Sequence, residues 1–200
     1  MGRLRTCSQH GFTLPELFIA MAIGLIIAAA ATSSFIVQRR SFSLQEEVGE
    51  MVQSARAAMD VMSREIRMAG YDPTEAGFDG VTPNYATACG SLQAGPRLLA
   101  DLNADGAPDD ENEDITYCYD ADALQIKRNT GGGNQEFADN VQNVTFTYLD
   151  KDGNPTAVAA DVKTMQLAIT TQTSKPDPKY TDNGGYRTYT LTSTIAIRNN

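Results

Sequence analysis

From Leu17 to Val37 the chain carries no ionisable side chain, and this run, LFIAMAIGLIIAAAATSSFIV, holds 21 residues. As a helix it spans about 30 Å at roughly 1.5 Å per residue, the thickness of a bilayer's hydrocarbon core. Just before it, Thr13, Pro15 and Glu16 spell T-x-x-E with a proline in the first turn, a pairing that starts helices and loses no intrahelical hydrogen bond. Beyond Val37 the pattern changes. Leu44, Val48, Met51, Val52, Ala55, Met59, Met62, Ile66 and Ala69 recur mostly three and four apart, one apolar stripe on an amphipathic helix. The opposite face carries Glu46, Glu47, Glu50, Arg56, Asp60, Arg64, Glu65 and Arg67, with Asp60 and Arg64 a favourable i, i+4 pair. Gly70, followed by Asp72-Pro73, stops the helix, so one helix is expected from Thr13 to Ala69.

Residues 70–114 are rich in Gly, Pro, Asp, Asn and Ala without periodicity and read as a long ordered loop or small subdomain. Strands follow. Ile115 to Tyr119 and Leu124 to Lys127 flank the turn Asp120-Ala121-Asp122, and Val141 to Leu149 alternates before the turn Asp150-Lys151-Asp152-Gly153. Val162 to Thr171 sets Met165, Leu167 and Ile169 on one face; Tyr189 to Ile197 does so with Leu191, Ile195 and Ile197. Four or five antiparallel strands with one apolar face need a cover, which the amphipathic half of the helix supplies. The expected class is α+β, a long N-terminal helix packed on an antiparallel sheet.

Two hundred residues allow one compact domain plus an appendage. The balance of 25 acidic against 16 basic residues, a formal charge of -9, argues against a nucleic-acid partner, which a basic face would have to hold. His10 is the single histidine and lies in the basic N-terminal stretch, so histidine triads and most zinc sites are excluded. No nucleophile motif or P-loop is present, and Gly131-Gly132-Gly133 lacks a strand-to-helix context, which leaves it a turn. No catalysis and no required cofactor are expected.

The segment MGRLRTCSQHG, with Arg3 and Arg5 and no acid, precedes Phe12-Thr13-Leu14-Pro15-Glu16-Leu17 and the apolar helix. Cleavage after the small residues Ala28 to Ala31 or Ser33 to Ser34 would make it an ordinary secretory signal. The whole arrangement instead resembles the class III signal of type IV pilin-like proteins, with Pro15 in place of the more usual aliphatic residue. The resemblance implies that a prepilin peptidase cuts between Gly11 and Phe12 and methylates Phe12, and that Glu16, at the fifth mature position, pairs with a neighbouring subunit's N-terminal amine during assembly. Physically, a carboxylate at the edge of a membrane helix needs a partner, and completing the capping box with Thr13 is the local alternative.

The architecture is also similar to the pilin fold, and QRRSFSLQEE, AMDVMSREIRMAGY and YRTYTLTSTIAIRNN resemble the PilW-like minor pilins, with the J-type minor pseudopilin of type II secretion second. This implies a leader over 1–11, a transmembrane or filament-core helix over 12–37, its amphipathic half over 38–70 and a periplasmic β-sheet domain over 71–200. The implied partners are prepilin peptidase, other minor and major pilins and the inner membrane. The implied location is the inner membrane, single-pass with a periplasmic C-terminal domain, then the pilus at the cell surface. Arg39 and Arg40 flank the far end of the apolar run and weaken the positive-inside bias of Arg3 and Arg5, so leader recognition is expected to set orientation.

Cys7 falls in the leader, leaving Cys89 and Cys118 for the exported part. In an oxidising periplasm they form a disulfide closing about 30 residues, or stay two separate thiols. Asp101, Asn103, Asp105, the carbonyl of Ala107 and Asp109, with Gly106 at the sixth position, reproduce the first half of an EF-hand-type calcium loop. Asn112 stands where that loop carries glutamate, Glu111 or Glu113 fits only a shifted loop, and a solvated Asp/Asn/Gly turn explains the same residues. A membrane-anchored periplasmic ligand-binding or adhesive domain using this loop is the rival to a filament subunit.

Overall fold

The computed structural model describes residues 11–199; Arg3, Arg5, Cys7 and His10 of the expected leader lie outside them. One helix, α1, runs Leu14–Met68. It begins with the Leu17 N–H donating to Thr13 O at 3.1 Å and ends where Gly70 takes φ 77°, a left-handed turn that a side chain disfavours. Gly80 passes close to this turn: a Cβ there would lie 2.2 Å from the Gly70 backbone nitrogen, so only glycine fits at position 80.

Eight strands follow: β1 Val81–Thr82, β2 Gln93–Leu99, β3 Asp114–Asp120, β4 Gln125–Asn129, β5 Gln135–Ala138, β6 Val141–Leu149, β7 Thr164–Gln172 and β8 Thr188–Ala196. They form two sheets rather than the single one expected, with all pairs antiparallel: β1-β2-β3-β4-β5 and β6-β7-β8. β1 and β2 lay in the stretch read as loop, β5 in a stretch to which no element was assigned, and Leu124, expected to open β4, sits in the turn before it with φ 54°.

The chain divides into two compact units, with the break between Gln45 and Glu46. In the second, Ala58, Met59, Met62, Ile66 and Ala69 of the helix stripe pack with Val81, Leu98, Ile115, Tyr117 and Ile126 of the larger sheet and Val144, Met165, Leu167, Ile169 and Ile195 of the smaller. The α+β architecture of a long helix on antiparallel sheets is therefore the observed one. Glu47 and Glu65 depart from the expected solvated face of α1: their side chains are only 15% and 17% exposed and meet Lys175 and Arg128. In the first unit, residues 11–43 are exposed all round, and the most apolar 18-residue window of α1 has a mean hydropathy of 2.2.

Candidate functional site

Three places carry the chemistry. At the N-terminus Gly11 has open space around it and Phe12 is 90% exposed, so the Gly11-Phe12 bond is accessible. Thr13 is the residue before the helix, and both its N–H and its hydroxyl donate to Glu16 Oε2, at 2.8 and 2.7 Å. One half of the capping box expected from T-x-x-E thus forms, Glu16 accepting the Thr13 N–H, while the Thr13 hydroxyl donates to Glu16 as well. Gly24 lies within the helix with open space around it, at the same exposed surface as Leu17, Ile23 and Ile27.

In the second unit Cys89 and Cys118 are joined as a disulfide, Cα to Cα 5.5 Å, across 29 residues of sequence. Cys118 sits mid-strand opposite Ala94 and Lys127, and Cys89 reaches it from the turn before β2, where its N–H donates to Ala86 O. The bond ties that loop to the centre of the larger sheet.

The acidic loop closes on its own backbone. Asp101 is fully buried; Oδ1 accepts the N–H of Ala104 at 2.7 Å and of Asp105 at 3.3 Å, and Oδ2 that of Gly106 at 3.0 Å and the Thr74 hydroxyl at 3.3 Å. Asn103 Oδ1 accepts the Asp105 N–H, and Asp105 Oδ1 the Ala107 N–H, both at 3.0 Å. Glu113, buried at the far end, takes Leu102 and Asn103 N–H on one oxygen and Asp110 N–H on the other. Asp109, Asp110 and Glu111 are exposed. Among the described residues no group of three or more His, Cys, Asp or Glu side chains is placed to share a metal ion. The role of Glu113 was not legible from the calcium-loop spacing; its place just before the apolar Ile115 strand was the available signal.

A polar network that sequence reasoning did not find joins α1 to the larger sheet. The Tyr117 hydroxyl, buried in the core, donates to Glu65 Oε2, and Arg128 Nη2 donates to Glu65 Oε1 at 2.9 Å and Asn112 Oδ1 at 3.2 Å. Burial, reinforced by the Glu65 charge, pushes the Tyr117 phenol far above its ordinary value. Burial lowers the Arg128 guanidinium, but the Glu65 carboxylate outweighs it and the net shift is upward. Beside this pair lies an apolar cavity of about 240 Å³ walled by Met68, Leu99, Leu102 and Ile115.

These features are an exposed Gly11-Phe12 bond, a long exposed apolar helix and a β domain braced by a disulfide and a buried ion pair. Residues 7–32 match the family described as Prokaryotic N-terminal methylation motif, and residues 45–197 match the one described as Prepilin peptidase-dependent protein B. No curated protein and no solved structure matches the chain. The first match spans the Gly11-Phe12 bond and the first part of the exposed apolar helix; the second covers nearly all of the second compact unit. Carried by well over half its length, the chain belongs to the Prepilin peptidase-dependent protein B family, pilin-like substrates of a processing peptidase.

Proposed function

We propose that this chain is a minor type IV pilin of PilW-like kind, a structural subunit that helps initiate or assemble the pilus. Prepilin peptidase cuts after Gly11 and methylates Phe12; residues 12–37 then form the filament-core helix, 38–70 its amphipathic half and 71–200 the periplasmic domain. The observation that carries this reading is the pairing of an accessible Gly11-Phe12 bond with an apolar helix exposed on every side. A bare helix of mean hydropathy 2.2 needs lipid or neighbouring helices around it. Glu16 is held within the chain by Thr13, and on assembly it exchanges that partner for the N-terminal amine of a neighbour. A J-type pseudopilin of type II secretion would share each of these features and differ in its partner subunits.

The test is intact mass and N-terminal sequencing of the protein from membranes of cells with and without the peptidase. A chain beginning at methylated Phe12 only when the peptidase is present is the expected result. A chain beginning at Met1 in both, or after Ala31, removes the filament reading in favour of an anchored or secreted binding domain.

A further inference from the structure

The end of α1, the larger sheet and the acidic loop meet around the apolar cavity of about 240 Å³. Its floor is Leu98, Leu99 and Ile115, all buried, and its mouth is marked by Met68 and Leu102, which are 46% and 43% exposed. Among the described residues the second unit exposes four large apolar side chains, Met68, Tyr71, Leu102 and Val158, so half of them stand at this one place. Apolar walls of this kind hold no water and favour an apolar guest. At the packing density of a protein interior an aliphatic carbon fills about 27 Å³, so the volume suits a chain of about eight carbons, twice what a leucine side chain supplies.

One side of the cavity is polar, and there every side-chain acceptor is already engaged. Glu65 accepts the Tyr117 hydroxyl on Oε2 and Arg128 Nη2 on Oε1, and Asn112 Oδ1 accepts Arg128 Nη2 as well. Glu113 takes backbone N–H groups on both oxygens. The unengaged groups are donors: Arg128 Nη1 and Asn112 Nδ2, each with two N–H bonds, meet no acceptor among the described residues. A guest that complements this wall therefore carries an acceptor. Charge decides which one. Arg128 is balanced by Glu65, and Glu113 stands on the same wall, so a carboxylate would set a third negative charge against one positive. A neutral carbonyl takes the same N–H bonds without that repulsion.

We propose that this cavity is a binding site for a neutral acyl compound, an aliphatic chain of about eight carbons ending in an amide or ester carbonyl. The chain lies on Leu98, Leu99 and Ile115, and the carbonyl faces Arg128 and Asn112. A free acyl amide and the acyl ester of a glycerol lipid share this chemistry. Every residue of the site belongs to the second compact unit, so the inference rests neither on membrane anchoring nor on processing at Gly11.

The test uses the full chain in phosphatidylcholine nanodiscs with its methionine methyls labelled with carbon-13. Met68 reports the cavity, and Met21, on the exposed apolar helix, reports partition of a probe into the bilayer. The probes are N-acylglycinamides and monoacylglycerols with chains of four to twelve carbons, with octanoate as the anion. The expected result is a saturable shift of the Met68 methyl whose Kd tightens about fourfold with each added methylene up to about eight carbons and then levels. Octanoate binds at least about tenfold more weakly than the neutral eight-carbon probes, and the neutral series that binds tighter identifies the source. Asn112→Asp keeps the acceptor for Arg128 and replaces the unengaged donor by a carboxylate, and Leu102→Gln makes the exposed mouth polar. Each weakens the eight-carbon probes by about tenfold with melting unchanged. A Met68 shift that does not saturate, an affinity indifferent to chain length, octanoate binding as tightly as the neutral probes, or indifference to both substitutions overturns the proposal. An acetyl-leucine amide that binds as tightly as the eight-carbon amide overturns it too, in favour of a protein partner that inserts one side chain.

Discussion

At the scale of single residues, buried charge is placed where several donors converge on it. Glu65 is the clearest case: it meets a tyrosine and an arginine from two neighbouring strands, at Tyr117 and Arg128. Tyr117→Phe removes one donor and leaves the ion pair, so a loss of about 1 kcal/mol is expected. Glu65→Ala strands both the phenol and the guanidinium and should cost more, about 2 to 3 kcal/mol, visible as a larger fall in Tm of the full chain in detergent. Equal losses would mean that the network contributes by packing alone. Asp101 follows the same logic. Asp101→Asn turns one acceptor oxygen into a donor facing the Gly106 N–H, and a loss of about 1 to 3 kcal/mol is expected. Because backbone amides are its partners, the same Tm is expected in millimolar calcium and in chelator. Calcium held by Asp101, Asn103, Asp105, Ala107 and Asp109 is the competing proposal, and a Tm that rises with calcium and falls with chelator would establish it.

At the scale of elements, helices and late strands were legible because their signals are local. From Met51 to Ile66 the stripe is the buried face of α1, Ala69 is buried just past its end, and the stop at Gly70 is where the chain turns. β2 was hidden by Gly95-Pro96, residues that usually mark a turn. Here they sit at the register shift between Ala94 and Arg97, where a Cβ on residue 95 would lie 2.5 Å from Tyr117 O. The split into two sheets depends on contacts distant in sequence, which no local period records. For the candidate site, the Thr13–Glu16 pair was legible from spacing, whereas Glu65 and Glu113 look like surface acids until their distant partners are known. The disulfide belongs to this scale, since it fixes the loop of residues 83–92 to β3. Cys118→Ser should lower stability by about 3 to 4 kcal/mol, the loop-closure value for some 30 residues. Both sulfurs lie in buried residues. Reductant should therefore leave the native chain unchanged at moderate temperature and lower its melting point only once unfolding begins.

For the whole molecule, the question is what makes two sheets behave as one domain, and tyrosines stand at the junction. Tyr119 of β3 places its hydroxyl 2.9 and 2.7 Å from the carbonyls of Val141 and Gln142 at the start of β6. In the other direction, Tyr148 of β6 accepts the N–H of Asn84, just past β1, at 3.4 Å. Burial pushes the Tyr148 phenol up to about 12, the Asn84 N–H opposing it only in part, and burial raises Tyr119 as well. An unfolded tyrosine ionises near pH 10. Between that value and the raised folded one the unfolded chain has released a proton that the native chain still holds, so stability falls as pH rises. The Tyr148 contribution is thus complete below about pH 10 and is lost as pH rises through about 12, and Tyr119 acts in the same direction. Melting at pH 8, 10 and 11, followed together with tyrosinate absorbance, should show a steep alkaline decline with the last phenols ionising only as the fold opens. Tyr148→Phe should shallow that slope while changing the neutral-pH Tm little, because the bond it loses is long. A slope unaltered in Tyr148→Phe and in Tyr119→Phe alike would place the alkaline weakness outside the junction, and the two sheets would then be joined by their shared apolar core rather than by their hydroxyls.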